Sequence, residues 1–262
     1  MSLLSTIAKP APRPPIITVV GEAGTGKTSF AATFPKPIFI RVEDGLGRIT
    51  RKVETPDAFP VCANSDMLFD QVMALLKEEH DYSTLVIDSV TKLEEMFTRE
   101  ILEKDGRAKT LATALGGYGA GYQALSGMHN RVRKAAGALN DKRQMAIIFI
   151  GHADLETMRL PDTDDYQRHS LRLNSKSIAP YIDDVDVVGF VRLASALRGD
   201  EGERKKVVST GEREFVCHST AASVSKNGLG ITAPLPFPEG TNPLAEALGI
   251  TKKSAPKSNN PE

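Results

Sequence analysis

The sequence predicts an α/β fold, a mostly parallel central sheet flanked by helices and finished by a C-terminal β-hairpin. Three observations carry this. Short β-branched or apolar runs recur with stretches of helical periodicity between them. Those runs are apolar throughout rather than alternating, as strands buried on both faces are. A glycine-rich segment, GEAGTGKT at residues 21–28, stands where a strand gives way to a helix.

The elements follow in order. Residues 1–14 read as a Pro-rich arm, because Pro10, Pro12 and Pro14 keep it extended and the two-leucine patch before Lys9 is too short for a signal helix. An α/β core is expected over residues 15–250. Its strands are ITVV at 17–20, PIFIRV at 37–42, STLVIDSV at 83–90, MAIIFIG at 145–151 and VDVVGFVRL at 185–193. Helical spacing falls near 27–34, 66–79, 90–104, 120–139 and 176–182. GGYGAGY at 116–122 reads either as a mobile loop or as the lead-in to the fourth helix. Beyond residue 193 a charged turn, LRGDEGERKK, lies between short strand-like runs, with EFVCHST after it, and predicts a hairpin closing the sheet edge. Residues 251–262 have the composition of a disordered tail.

Composition narrows the function classes. With 262 residues, 40% hydrophobic, the chain can bury a core, and 33 basic residues against 33 acidic exclude nucleic-acid binding by bulk basicity though not by local patches. Cys62 and Cys217 lack metal-ligand spacing and are too few for a disulfide framework, so a reducing cytoplasm is expected. No apolar run approaches the roughly 20 residues of a membrane span. No membrane partner is expected.

Chemistry concentrates at GEAGTGKT, a full GxxxxGK[ST] match in strand-to-helix context. Glycines there let backbone N–H groups curl around phosphate oxygens, and the helix start adds its positive dipole end. The nucleotide-binding segment is Gly21, Glu22, Ala23, Gly24, Thr25, Gly26, Lys27, Thr28 and Ser29. Lys27 is expected to reach the β- and γ-phosphates of ATP and the Thr28 hydroxyl to hold Mg²⁺. Asp88 ends a buried apolar strand, where an acid is expensive unless it serves a polar site, and is the second expected metal-site residue. It also stands where it would cap the next helix. Ser89 follows where many such ATPases place Glu. The water-orienting role therefore falls to Glu43, at the end of the strand after the phosphate-loop helix, unless Glu43 and Asp44 merely form an exposed turn.

The order of these parts (phosphate loop, Glu43 at the next strand end, VIDSV with Asp88, then IIFIGHAD) resembles the RecA core. More narrowly it is similar to the phage RecA-like ATP-binding proteins of the Sak type, short single-strand annealing recombination proteins. The resemblance spans about residues 15–240. It implies an ATPase, DNA-stimulated and slow, acting on single-stranded DNA in phage recombination or replication, in the cytoplasm of the host cell. It implies ATP and Mg²⁺ as cofactors, a homo-oligomeric ring or filament, and a single-stranded DNA-binding protein as a further partner. His152 stands where recombinases more often carry Gln or Asn as a γ-phosphate sensor; a strand-end histidine capping backbone is the plainer alternative. Lys226, in SKNGLGITAPLPFP, matches a lysine offered to a neighbour's ATP, or is simply a lysine on a proline-rich loop. Lys27, Glu43, His152 and Lys226 make up the expected catalytic set.

Charge segregation suggests where DNA would lie. Asp154, Glu156, Asp162, Asp164 and Asp165 outnumber Arg159, whereas Arg168, Arg172 and Lys176 follow without an acid, interleaved with Tyr166 and His169. That mixture of rings and cations suits a single-strand loop, though the alternation in YQRHSLRLN also fits a solvated hairpin. A second basic segment holds Arg131, Arg133 and Lys134, on a helix face that is otherwise simply solvated. Two other readings stay open. One is a P-loop kinase with residues 105–122 or 153–180 as a lid, and the other is a nucleotide-switched interaction protein of the replication machinery.

Overall fold

In the computed structural model, residues 3–9, 11–44, 46, 53–159, 161, 164–198 and 206–250 are described. The expected tail at 251–262 and most of the charged turn, 199–205, lie outside them, as do Gly45, Gly47 and Asp162.

After a single 3₁₀ turn at Leu3–Thr6, the regular elements are β1 (Ile16–Gly21), α1 (Lys27–Ala32), β2 (Pro37–Arg41), β3 (Asp57–Ala58), α2 (Ser65–Lys77), β4 (Thr84–Asp88), α3 (Val90–Asp105), α4 (Ala120–Arg143), β5 (Ala146–Met158), β6 (Tyr166–Leu171), α5 (Ala179–Ile182), β7 (Val187–Arg198), β8 (Lys206–Val216), β9 (Lys226–Asn227), β10 (Leu235–Pro236) and α6 (Pro243–Ala247). The strands pair in the order β10-β8-β7-β1-β5-β4-β2-β3, with β6 added to β5 and β9 to β7. From β7 through β1, β5, β4 and β2 to β3 every neighbour is parallel; β8 and β10 are antiparallel. β7 and β8 form the expected C-terminal hairpin.

β1 is buried at every position, as a central strand covered on both sides must be. Its alternate residues feed two cores. Ile16 and Val20 join Leu68, Leu93, Phe97, Leu125 and Val132 under α2, α3 and α4; Ile17 and Val19 join Phe30, Phe215, Phe237 and Leu244 under α1 and α6. One close approach fixes α1. Gly189 of β7 has no side chain because Phe215 occupies that space, where a Cβ would sit 2.1 Å from its ring. Phe215 stacks on Phe30 of α1 with ring centroids 4.9 Å apart. The helix that begins with the phosphate-loop lysine is thereby clamped to the sheet.

Asn64 and Ser89 cap α2 and α3 through side-chain oxygens that accept from Met67 and Lys92 N–H. GGYGAGY is the lead-in to α4, which starts at Ala120. The fifth helix is shorter than its spacing suggested, a single turn at Ala179–Ile182. The larger departure concerns residues 153–171. β5 does not stop at Gly151 but continues past the main sheet to Met158, and Ala153–Met158 pair residue for residue with β6. The alternation in YQRHSLRLN is thus an antiparallel hairpin arm rather than a long loop.

Candidate nucleotide site

The phosphate loop joins β1 to α1 at the carboxyl ends of the parallel strands. Gly24 and Gly26 have φ of 78° and 97°, a left-handed geometry that glycine adopts at little cost and that turns the chain tightly into α1. Thr25 Oγ1 donates to the Glu22 carbonyl at 2.9 Å, and Lys27 Nζ folds back to donate to the carbonyls of Gly21 (3.0 Å) and Glu22 (2.7 Å). Lys27 is 7% exposed. Burial pushes its ammonium down, against the raising fields of Asp88, Glu43 and Glu22, while Arg172 adds to the lowering. Ser29, half-buried, is the third residue of α1.

Across the sheet, the Thr28 hydroxyl donates to Asp88 Oδ2 at 2.8 Å. Asp88 closes β4 and is 8% exposed. Burial raises its carboxyl; the Thr28 hydrogen bond pulls the other way, and the Glu43 charge adds to the rise. A buried carboxylate beside a hydroxyl is the donor set that Mg²⁺ takes when its remaining ligands are waters and phosphate oxygens. No cluster of three or more His, Cys, Asp or Glu able to hold a metal occurs among the described residues.

Glu43 follows β2. Its Oε1 accepts from the Ser89 hydroxyl at 3.0 Å and lies 3.5 Å from His152 Nε2. Oε2 takes no hydrogen bond from any described residue. The His152 hydrogen bond is the main reason the Glu43 carboxyl sits below the usual range, opposed by burial and reinforced by Ser89. His152 pairs with Gly21 in the β1–β5 register, so it stands level with the start of the phosphate loop. Its N–H donates to Thr91 Oγ1 at 3.0 Å. One half-exposed edge of the loop therefore carries Lys27, Thr28, Asp88, Glu43 and His152 together. On the α3 and α4 side of the sheet, a cavity of about 370 Å³ adjoins residues 21–25, walled by His169, Phe190 and Val216.

The cations proposed from sequence do not form one surface. Arg159 and Arg168 pair with Asp165 (3.5 Å) and Glu156 (3.0 Å) within the β5–β6 hairpin. Lys176 lies 5.8 Å from the Tyr122 ring. Arg172 is exposed, directly after the hairpin, and its charge reaches Lys27. By contrast Arg131 stacks on Phe69 at 4.5 Å and Arg133 donates to the Asp184 carbonyl, while Lys134 joins Arg13 and Lys226 around Asp183, Asp184 and Asp186. Arg133 and Lys134 thus sit at the opposite end of the sheet, since Asp186 N–H bonds Ile16 O at the start of β1. Lys226 belongs there too, exposed, with Nζ donating to the Asp183 carbonyl at 2.7 Å.

Sequence reasoning passed over Arg213. It stands in β8, outside any motif, and its guanidinium lies against Gly26. Only the pairing of a distant hairpin with β1 brings it there.

Cys62 and Cys217 are both buried and free, and burial raises each thiol to about 11, which leaves them unreactive. No helix among the described residues is long and apolar enough to cross a membrane.

A family model described as AAA domain matches residues 13–227, which takes in everything from the phosphate loop to β9. No curated protein matches the chain.

Proposed function

The chain belongs to the AAA domain family of P-loop ATPases, and we propose that within it this protein hydrolyses Mg·ATP and couples that turnover to single-stranded DNA in phage recombination or replication. The observation that carries the ATPase reading is the 2.8 Å bond between Thr28 and Asp88, beside a lysine already buried in the phosphate loop. Those two oxygens and the phosphates would hold Mg²⁺, which when bound neutralises charge on the β- and γ-phosphates. Lys27 swings from the Gly21 and Glu22 carbonyls to phosphate oxygens. Glu43, kept ionised by His152 and Ser89, orients water and takes its proton as the water oxygen bonds the γ-phosphorus and ADP leaves. His152 holds Glu43 in place, and on this reading senses whether the γ-phosphate is present.

The narrower reading rests on the similarity to RecA-like proteins of the Sak type and on Arg172. This exposed cation follows the hairpin and acts electrostatically on Lys27, so a strand that drew on Arg172, Arg168 and Lys176 would be felt at the nucleotide. Lys226 is remote from the phosphate loop of its own chain, so the contact with ATP that the resemblance implies would have to be with a neighbour's, in a ring or filament. A single-stranded DNA-binding protein is the further partner expected. ATP turnover with and without single-stranded DNA, across a salt series, tests the coupling. Stimulation that fades steeply with salt supports it, and no binding to DNA even at low salt overturns it.

A further inference from the structure

We propose that Arg213 is a nucleotide-contacting residue of the same chain's site, binding the phosphates that ATP and ADP share. The inference rests on the ATPase reading and names a residue that the phosphate-loop motif does not contain.

Its placement is specific. A Cβ built on Gly26 would lie 3.1 Å from Arg213 Nε and 3.2 Å from Cζ, so the guanidinium rests directly on the loop where glycine leaves the backbone bare. The side chain is half-buried, yet its guanidinium makes no hydrogen bond or ion pair with any described residue. The adjacent pair behaves differently: Arg192 and Glu214 close a 2.6 Å ion pair. An arginine with no partner among the described residues, held over a phosphate-binding loop, is a donor fork suited to an anion.

The backbone is shaped for this. Between the pairs Leu193↔Arg213 and Ser195↔Ser209, β7 advances two residues while β8 advances four, so Thr210–Glu212 form a bulge. Gly211 lies in that bulge at φ 79°, the left-handed geometry that favours glycine. Bulges bend a strand and re-aim its side chains, often beside active sites. Immediately after it, Arg213 is pinned from the other side, its carbonyl accepting from Phe237 N–H at 3.0 Å.

Direction decides which phosphates are in reach. Thr28, Asp88, Glu43 and His152 gather on the β5, β4 and β2 side of β1, where the terminal phosphate and its water belong. Arg213 arrives from the opposite side, on β8 beyond β7. Its fork therefore addresses the part of the polyphosphate away from the transferred group. ADP keeps that part.

Calorimetric titrations of the full chain with Mg·ADP and with Mg·ATP test this, using wild type, Arg213→Gln and Arg213→Lys, with thermal unfolding of each unliganded protein as the folding control. Arg213→Gln should weaken ADP and ATP alike, by roughly 10- to 100-fold, as expected for loss of a charged hydrogen-bond donor. Arg213→Lys should fall between, because the charge stays and the fork is lost. Wild-type affinity for ADP in a folded Arg213→Gln protein would overturn the proposal alone, and so would a loss confined to ATP. A wild-type chain that binds neither nucleotide would overturn the ATPase reading together with it.

Discussion

Replacing Asp88 with asparagine should make the unliganded protein more stable while disabling it. The carboxylate is 8% exposed, and the only hydrogen bond it receives from a side chain among the described residues is that of Thr28. Burial raises its pKa above the ordinary 3.8, with the Glu43 charge adding to the rise. A proton is thus held more tightly in the folded chain than in the unfolded one. Ionisation then opposes folding: the cost is absent well below 3.8, grows as pH climbs through 3.8 toward the raised folded value, and is complete above it. The amide of Asp88→Asn would keep an oxygen for the Thr28 hydroxyl and remove the charge. The expected gain at pH 7 is on the order of 1 kcal/mol, typical when a functional site is relaxed. That corresponds to a Tm rise of about 2–4 °C for a chain near this size. The assay is thermal unfolding of both proteins without nucleotide at pH 7 and again near pH 3, then at pH 7 with Mg·ATP. The gain should vanish at the lower pH, and the order should reverse with Mg·ATP, which stabilises wild type by about 2.7 kcal/mol at a hundred times its Kd. A variant less stable than wild type at pH 7, or one whose gain persists at pH 3, would show that the Asp88 charge does not oppose folding.

Three further outcomes are expected. Glu43→Gln should lower ATP turnover by roughly 10²- to 10³-fold while leaving ATP binding within about threefold of wild type, as read by steady-state kinetics beside direct titration. His152→Ala removes the hydrogen bond that chiefly lowers the Glu43 carboxyl, so the acidic limb of the pH–rate profile should move to higher pH, and His152→Gln, which keeps an N–H donor, should move it less. Gly189→Ala places a methyl 2.1 Å from the Phe215 ring, and urea unfolding should register a loss of about 1–3 kcal/mol or more from overpacking.

What could be read from the chain itself follows a physical division. The phosphate loop, Asp88 and Glu43 were legible because each sits at the end of a run of apolar residues, and parallel strands bring their ends to one edge however they are ordered. The β5–β6 hairpin was legible only as an alternative. Its pairing joins polar residues such as Glu156 and Arg168, which carry no hydrophobic signal and whose partner strand is the continuation of a buried one. The seven candidate DNA cations looked like two runs along the chain, and their distribution over opposite ends of the sheet depends on how α4 lies against the segment at Asp184. Arg213 left no trace at all. Its neighbours read as an exposed hairpin, and its proximity to Gly26 comes from Gly211, from the β7–β8 register, and from β7 lying beside β1.

Equilibrium binding of Mg·ATP to wild type and to Lys27→Ala decides whether this loop holds nucleotide. Lys27 is buried in the loop, and among the described residues it is hydrogen-bonded only to carbonyls that it must leave for phosphate. Wild type should bind saturably at one site, and the folded variant should lose about 100-fold in affinity, the upper range for a charged contact. Equal affinities in the two proteins, or no binding by wild type, would contradict that expectation.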